Sequence, residues 1–353
     1  MADVTVLGAG VFGLACAWEC ARRGARVRVI DPAGAGAGAS GNPVGALAPH
    51  VPDGWSPLKA LQLDALRAAP AFWAEVEAAA GQGAGFARCG RLQPLADEAA
   101  IARARARAGE AARHWGDAGR WEVRRAADFG AAAPHSLTGM VIHDTLTARI
   151  DPPRAIAALA GAVCERGSEI LAEGAKEGAV IRATGAAGLA ALSRETGLAV
   201  GGAVKGQAAR LARAAPAEAP LVMAPGLLIV PHADGTTGVG ATAERDFADP
   251  ATTDAALEAV IARAMDLLPA LRGAVVLRRW AGLRPRAATG APILGPWPGR
   301  EGHFVANGGF RLGFSLAPAV AALMADLVLE GRDAIPAPFR PEAALARAGE
   351  SGT

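Results

Sequence analysis

Val4-Thr-Val-Leu-Gly-Ala-Gly-Val-Phe-Gly-Leu-Ala15 opens the chain, and its reading governs everything downstream. The apolar run Val4 to Leu7 predicts a buried parallel strand and Leu14 to Arg23 a helix, so Gly8, Gly10 and Gly13 fall on the strand-to-helix turn. There the first glycine permits a tight turn. The second lets backbone approach a pyrophosphate at the helix N-terminus, where free N–H groups and the helix dipole favour an anion. The third lets helix and strand pack closely. Working outward, Gly24-Ala-Arg-Val-Arg-Val-Ile30 alternates into a second strand ending at Asp31, whose carboxylate can accept both ribose hydroxyls and would repel a 2′-phosphate. The residues ask for FAD or NAD, not NADP.

A chain of 353 residues is long enough for two domains or one composite domain with a sizeable core. Lysine and arginine number 36 against 34 acids, and a net charge of +2 creates no global field to recruit nucleic acid or an anionic membrane. Tyrosine is absent altogether. The first strand begins so near Met1 that no signal or transit peptide is expected, and the cytoplasm is the expected location. Cys16, Cys20, Cys89 and Cys164 lack metal-ligand spacing and read as small core residues, with no metal expected. Ser315 to Leu329, interrupted by Pro318 and Asp326, reads as a buried helix and not as a membrane span.

Pro57 to Ala80 has helical periodicity in Leu58, Leu61, Leu66, Phe72, Trp73 and Val76. Then comes a basic stretch: Arg103, Arg105, Arg107, Arg113, Arg120, Arg124 and Arg125, interrupted by Glu110, Asp117 and Glu122. It reads either as a solvated face with a loop or as a site for a polyanion. Met140 to Asp144 is strand-like, and Asp151 is expected to cap a helix with two prolines in its first turn. Ala179-Val-Ile-Arg-Ala-Thr-Gly185 is a buried strand running into a glycine turn. Val204 to Leu211, Gly226 to Pro231 and Thr237 to Thr242 are further strand candidates, with Asp234-Gly235 as the hairpin turn between the last two. A helix from Ala255 to Leu268 and a strand from Val275 to Trp280 complete a mixed unit. The chain after Arg340 is expected to fray.

Late in the chain, Gly282-Leu-Arg-Pro-Arg286 and Ala291-Pro-Ile-Leu-Gly295 precede Ala306-Asn-Gly-Gly-Phe-Arg-Leu-Gly-Phe-Ser-Leu-Ala-Pro318. The last is a second glycine-rich turn into a helix, suited to receive the distal ring of a dinucleotide seated on Gly8 to Gly13. Arg284 and Arg311 bring guanidiniums, which grip a carboxylate bidentately. The opening glycines, Gly38-Ala-Ser-Gly-Asn42, Ala183-Thr-Gly185, Val204-Lys-Gly-Gln207, Gly282-Leu-Arg-Pro285 and Gly308-Gly-Phe-Arg-Leu-Gly313 occur in one order. Together they resemble the FAD-dependent D-amino acid oxidase superfamily, especially its glycine oxidase-like and sarcosine oxidase-like members, over nearly the whole chain.

The resemblance implies an α/β fold: a Rossmann-like FAD-binding domain with a parallel sheet, and a second mixed, mainly antiparallel substrate domain. The first is expected at 1–50, 135–198 and 285–335, the second at 51–134 and 199–284, and a C-terminal tail at 336–353. FAD is expected to be noncovalent, since no cysteine matches the covalent-flavin position of monomeric sarcosine oxidases. Its ADP half would lie on Gly8, Gly10, Val11, Phe12, Gly13, Asp31 and Pro32. The rest would meet Ala39, Ser40, Asn42, Gly45, Ala46, Thr184, Gly185, Gly308, Gly309, Phe310, Arg311, Leu312, Gly313, Phe314 and Ser315. Arg284 would hold a substrate carboxylate and Arg311 lie beside flavin and substrate, for hydride transfer from the carbon next to nitrogen and hydrolysis of the imine.

Two departures stand out. The tyrosine that many amino acid oxidases of this superfamily place on the carboxylate has no counterpart, which leaves His50, His232, Trp280 and Asn307 as nearby candidates. Gly167 to Thr184 is shorter than the family's usual strand-rich insertion. Alternatives remain open. Gly38-Ala-Ser-Gly-Asn-Pro-Val-Gly-Ala-Leu47 is similar to a loop of the oxidase half of the bifunctional enzyme that matures wobble uridines in tRNA, which makes tRNA a candidate partner. The electron acceptor is O2, or a quinone or carrier protein. An FAD-binding protein without turnover is the reading from another class.

Overall fold

The computed structural model describes residues 1–212 and 218–350; 213–217 and 351–353, within the expected substrate region and tail, lie outside the described residues. Val4–Leu7 is buried at every position and has parallel neighbours on both sides, Val27–Ile30 and Ala179–Arg182. A central strand covered on both faces needs such an unbroken apolar run. The resulting six-stranded sheet runs Ile293–Pro296, His303–Asn307, Ala179–Arg182, Val4–Leu7, Val27–Ile30, Glu169–Leu171, with only its first pair antiparallel.

Helix Val11–Arg22 packs against helix Gly313–Glu330, which in turn packs against Pro57–Ala80. Leu14, Trp18, Leu66, Trp73, Leu316, Val320 and Met324 form the centre of this core. Gly313–Glu330 is long and apolar enough to cross a membrane, with mean hydropathy 1.5, but Leu316, Val320, Ala321, Met324 and Ala325 are all buried inside the protein. It is the core helix expected from Ser315 to Leu329.

A second sheet of eight strands has the order Val276–Ala287, Gly201–Leu211, Thr237–Gly240, Leu227–Pro231, Leu221–Ala224, Arg91–Pro94, Met140–Asp144, Trp121–Arg125. All its pairs are antiparallel except Leu221–Ala224 with Arg91–Pro94. The strand expected to stop at Trp280 continues to Ala287, because Gly201–Leu211 offers it an antiparallel partner along its whole length. Pro285 does not stop it, since this is an edge strand, where a missing N–H breaks no ladder. One face of the sheet is covered by helix Ala255–Leu267, capped by Asp254 Oδ1 accepting from Ala256 N at 2.9 Å.

Three local expectations need correction. Residues 341–350 do not fray: Pro341–Glu350 is a helix whose Ala344 and Ala348, one turn apart, are buried in a cluster with Leu192 and Trp297. Cys164 is exposed and not a core residue, whereas Cys16 and Cys20 are buried, and burial pushes the Cys20 thiol up to about 12. Asp151 begins its helix by position only, because its carboxylate pairs with Arg210 at 2.7 Å and caps no N–H.

Arg91 and Asp144 face each other across neighbouring strands, 2.6 Å apart, with side chains 4% and 0% exposed. Removing one partner leaves an uncompensated buried charge. Asp144→Ala is therefore expected to cost about 3–5 kcal/mol, read as a lowered melting temperature of the apoprotein; an unchanged melting temperature would contradict the assignment.

Candidate active site

The opening glycines meet the backbone in the way a dinucleotide turn requires. Gly8 has φ +102°, and a Cβ there would lie 2.4 Å from the Ala183 carbonyl oxygen; a Cβ on Gly13 would lie 1.9 Å from the Gly8 carbonyl oxygen. Gly10 differs. Its φ is −81° and a Cβ would meet only Ser40 Oγ, at 3.3 Å, so space and not backbone geometry explains its lack of a side chain. Ser40 Oγ accepts from Val11 N at 3.0 Å, and no side chain caps the helix at Gly10 itself. Asp31 stands at the end of its strand, its two oxygens accepting from Ala9 N at 2.8 Å and Ala33 N at 3.0 Å. A carboxylate offers about four lone-pair sites, so acceptor capacity for a ribose remains. Pro32 follows it into the turn.

The late glycine cluster is brought onto the early one. A Cβ on Gly309 would come 2.8 Å from Phe12 Cζ, and one on Gly313 would come 3.1 Å from Val11 Cγ1. Two helix N-termini, at Val11 and Gly313, thus open beside each other; neither N-cap residue, Gly10 or Leu312, supplies a side-chain bond, and Ser40 Oγ takes only the Val11 N–H. Thr184 and Gly185 start a third helix, and Gly8 touches Thr184. Asn307 ties that turn to the cluster: its Nδ2 donates to Gly185 O at 2.9 Å and its Oδ1 accepts from Gly308 N at 2.8 Å. Leu312 O accepts from Ser315 Oγ at 3.2 Å, and Phe314 lies against Trp73. In the loop from Ala39 to Ala46, Asn42 spends its side chain locally on Val44 N and O, and Gly45 is pressed against Ile150, where a Cβ would lie 2.4 Å from its carbonyl oxygen. This cradle of backbone N–H groups, closed by glycines and edged by one carboxylate, fits FAD.

Arg284 lies at the other end. It sits on the edge strand opposite Val204, is 6% exposed, and donates from Nη1 to Thr242 O at 2.9 Å. Its guanidinium lies directly over Gly206, where a Cβ would fall 2.1 Å from Nη2. Gly206 is thus a site residue that sequence reasoning overlooked, although Val204-Lys-Gly-Gln207 carried the signal. Burial, with Arg311 nearby, lowers the Arg284 pKa to about 10, and Glu244 opposes this. Among the described residues no carboxylate lies within ion-pair distance of Arg284 or of Arg311, which is exposed.

Of the candidates for the missing tyrosine's place, Trp280 is on the right surface. Trp280, Gly282 and Arg284 alternate onto one face; the Trp280 ring covers Gly282 and reaches Gly41 of the flavin loop. The others are engaged elsewhere. His50 Nδ1 pairs with Gln62 at 2.7 Å, Asn307 is bonded as above, and His232 Nε2 donates to Pro43 O at 2.9 Å. Burial keeps the His232 pKa low, so a neutral ring clamps that loop.

The basic stretch is a helix, Glu98–Trp115, followed by the strand Trp121–Arg125. Five of its seven arginines pair with acids: Arg113 with Glu110, Arg107 with Asp53 at 3.1 Å, Arg120 and Arg124 with Glu122 at 3.3 and 3.6 Å, and Arg125 with Asp128 at 2.9 Å; among the described residues no acid lies within ion-pair distance of Arg103 or Arg105. Paired surface arginines leave little net field for a polyanion. Among the described residues no group of three or more His, Cys, Asp or Glu is placed to hold a metal.

The family model for DAO, FAD dependent oxidoreductase, matches residues 3–327. The chain belongs to this family. Among relatives of this DAO-family chain is a glycine oxidase from Pseudomonas putida, 44% identical over 126 residues; the match spans about a third of each protein, 35% of this chain and 34% of the relative. A glycine oxidase from Geobacillus kaustophilus is 29% identical over 358 residues, 92% of each chain. The crystal structure of glycine oxidase from Geobacillus kaustophilus superposes with a TM-score of 0.85 at 27% identity, covering 96% of this chain and 98% of that one.

The glycine geometry separates binding from folding. Gly10→Ala is expected to leave the apoprotein's melting temperature near wild type while weakening FAD at least about tenfold, because its methyl enters the pyrophosphate approach. Gly13→Ala, with its clash against Gly8, is expected to cost about 1–3 kcal/mol of apoprotein stability as well. Fluorescence titration with FAD and apoprotein melting check both; wild-type FAD affinity in Gly10→Ala would contradict the cradle.

Proposed function

We propose that the protein oxidises a small amine or amino acid bearing a carboxylate, with O2 as the electron acceptor. The observation that carries this is Arg284: a buried guanidinium without an acidic partner, on the face of the sheet turned toward the flavin loop. Such a charge is costly to leave unpaired, and an anionic substrate would relieve it. Similarity to glycine oxidases supports the same substrate class. Bound in the cradle, FAD supplies a two-electron acceptor for the hydride leaving the carbon next to the substrate nitrogen; water then hydrolyses the imine to an oxo acid or aldehyde.

The chain's own residues do little chemistry. Gly206 makes the room in which the Arg284 guanidinium lies flat, and Thr242 O fixes one of its N–H groups, so its remaining donors present a fixed fork to a carboxylate. Trp280 walls the space between that fork and the flavin loop and keeps water out of it. Arg311 and the N-terminus of Gly313–Glu330 place positive charge where a reduced cofactor would carry negative charge. No side chain need act as base if the amine enters neutral. The pairing of the surface arginines favours a small substrate over tRNA.

Arg284→Ala is expected to keep FAD but to lower kcat/KM for carboxylate-bearing amines at least about thirtyfold, the loss when a buried charge pair loses one partner. Amines without a carboxylate are expected to lose far less, with peroxide release as the assay. Unchanged kcat/KM for glycine or sarcosine would overturn the role. The pH dependence has a defined sign. The kcat/KM of the wild type rises with pH as the substrate amine loses its proton, while the Arg284 guanidinium stays charged across that range.

A further inference from the structure

We infer that the site holds a second anionic group beside the first, and that its preferred substrate is a small amino acid carrying two carboxylates, the second attached through nitrogen or through the side chain. This rests on the proposed function and deepens it. Arg286 lies two residues beyond Arg284 on the same face of the edge strand, opposite Gly202, and is half-buried. Its guanidinium lies 5.8 Å from the centroid of the Phe310 ring, and that of Arg311 lies 5.3 Å from the same centroid. Two cations therefore share one aromatic ring.

The backbone that carries them is pinned. Phe310 has φ 45°, the one positive value outside glycine among the described residues, and its N–H donates to Pro285 O at 3.0 Å. Arg286 is bridged to Gly309 next door. Edge strand and cofactor loop are thus stitched together at the point where the three arginines converge.

Among the described residues, no carboxylate is within ion-pair distance of Arg284, Arg286 or Arg311, whereas the arginines of the Glu98–Arg125 segment largely have acidic partners. The acid felt by Arg284 is Glu244, and it is already shared by Lys205 at 3.7 Å, Gln207 Nε2 at 2.9 Å and Thr242. One carboxylate satisfies Arg284 and leaves Arg286 and Arg311, both beside the Phe310 ring, without an acid. A second carboxylate at that ring adds charge-assisted hydrogen bonds to these cations.

The test uses the FAD-loaded protein and its Arg286→Met variant. Acetate, malonate and succinate, which cannot be oxidised, are titrated against the flavin absorption spectrum; kcat and KM are measured for glycine, sarcosine, iminodiacetate and both enantiomers of aspartate and glutamate. We expect wild type to bind a dicarboxylate at least about tenfold more tightly than acetate and to favour a diacid amine similarly in kcat/KM. Arg286→Met is expected to bring both ratios near one, chiefly through KM. Iminodiacetate against aspartate distinguishes attachment through nitrogen from attachment through the side chain. Equal binding of acetate and malonate by wild type would overturn the inference, as would an Arg286→Met variant that weakens FAD and slows all substrates alike, which would give Arg286 to the cofactor. Tight malonate binding without oxidation of any amine would instead sustain the second anion position and overturn the oxidase reading.

Discussion

The contact of Gly309 with Phe12 and of Gly313 with Val11 is the constraint on which the rest of the structure depends. A methyl group on Gly309 would push the Phe12 ring aside and one on Gly313 would crowd Val11. Once these residues touch, helices Val11–Arg22 and Gly313–Glu330 must pack side by side with their N-termini together, and the core of Leu14, Trp18, Leu316 and Val320 forms between them. The same closure carries Phe310 onto Pro285 and so fixes the edge strand of the second sheet against the cofactor cradle. Arg284 is aimed by this arrangement. Without it, a guanidinium on an edge strand would find water.

Charge is distributed in two regimes. On the surface, arginine replaces lysine almost everywhere, and its charges are largely absorbed by neighbouring acids, as at Glu110, Glu122 and Asp128. Inside, the ion pairs that hold the fold are complete, as between Arg91 and Asp144 or Arg210 and Asp151. Where the edge strand meets the late glycine turn, by contrast, Arg284, Arg286 and Arg311 have no acid within ion-pair distance among the described residues. Contrast, more than total charge, marks this place as one that expects an anion, in line with the tendency of functional sites to store unfavourable electrostatics.

Much of the cofactor end was legible in the sequence, because it is made of local rules: an apolar run, a glycine turn, a helix and a terminal acid at Asp31 each follow from neighbouring residues. The second sheet was harder. The run from Val276 to Ala287 looked as if it ended at Trp280, since Pro285 reads as a breaker until the strand is known to lie on an edge. Val204-Lys-Gly-Gln207 marked Gly206 as part of a motif but not its purpose, which exists only because Arg284 crosses above it from another strand. The helix Pro341–Glu350 was missed because a short, alanine-rich segment has little intrinsic stability and gains its order from Leu192 and Trp297. Of the four residues weighed against the missing tyrosine, only convergence in space separates Trp280 from the three that are bonded elsewhere.

The central claim is that one cradle, closed by residues from both ends of the chain, holds a flavin that a carboxylate-bearing amine reduces directly. Anaerobic mixing of the purified yellow protein with glycine, sarcosine and D-amino acids, followed at the oxidised flavin absorption band, tests it most directly. Rapid bleaching by at least one of these amines is expected, with return of the colour, and peroxide, when air is admitted. A protein that stays yellow with every carboxylate-bearing amine, or bleaches equally well with amines that have no carboxylate, would contradict it.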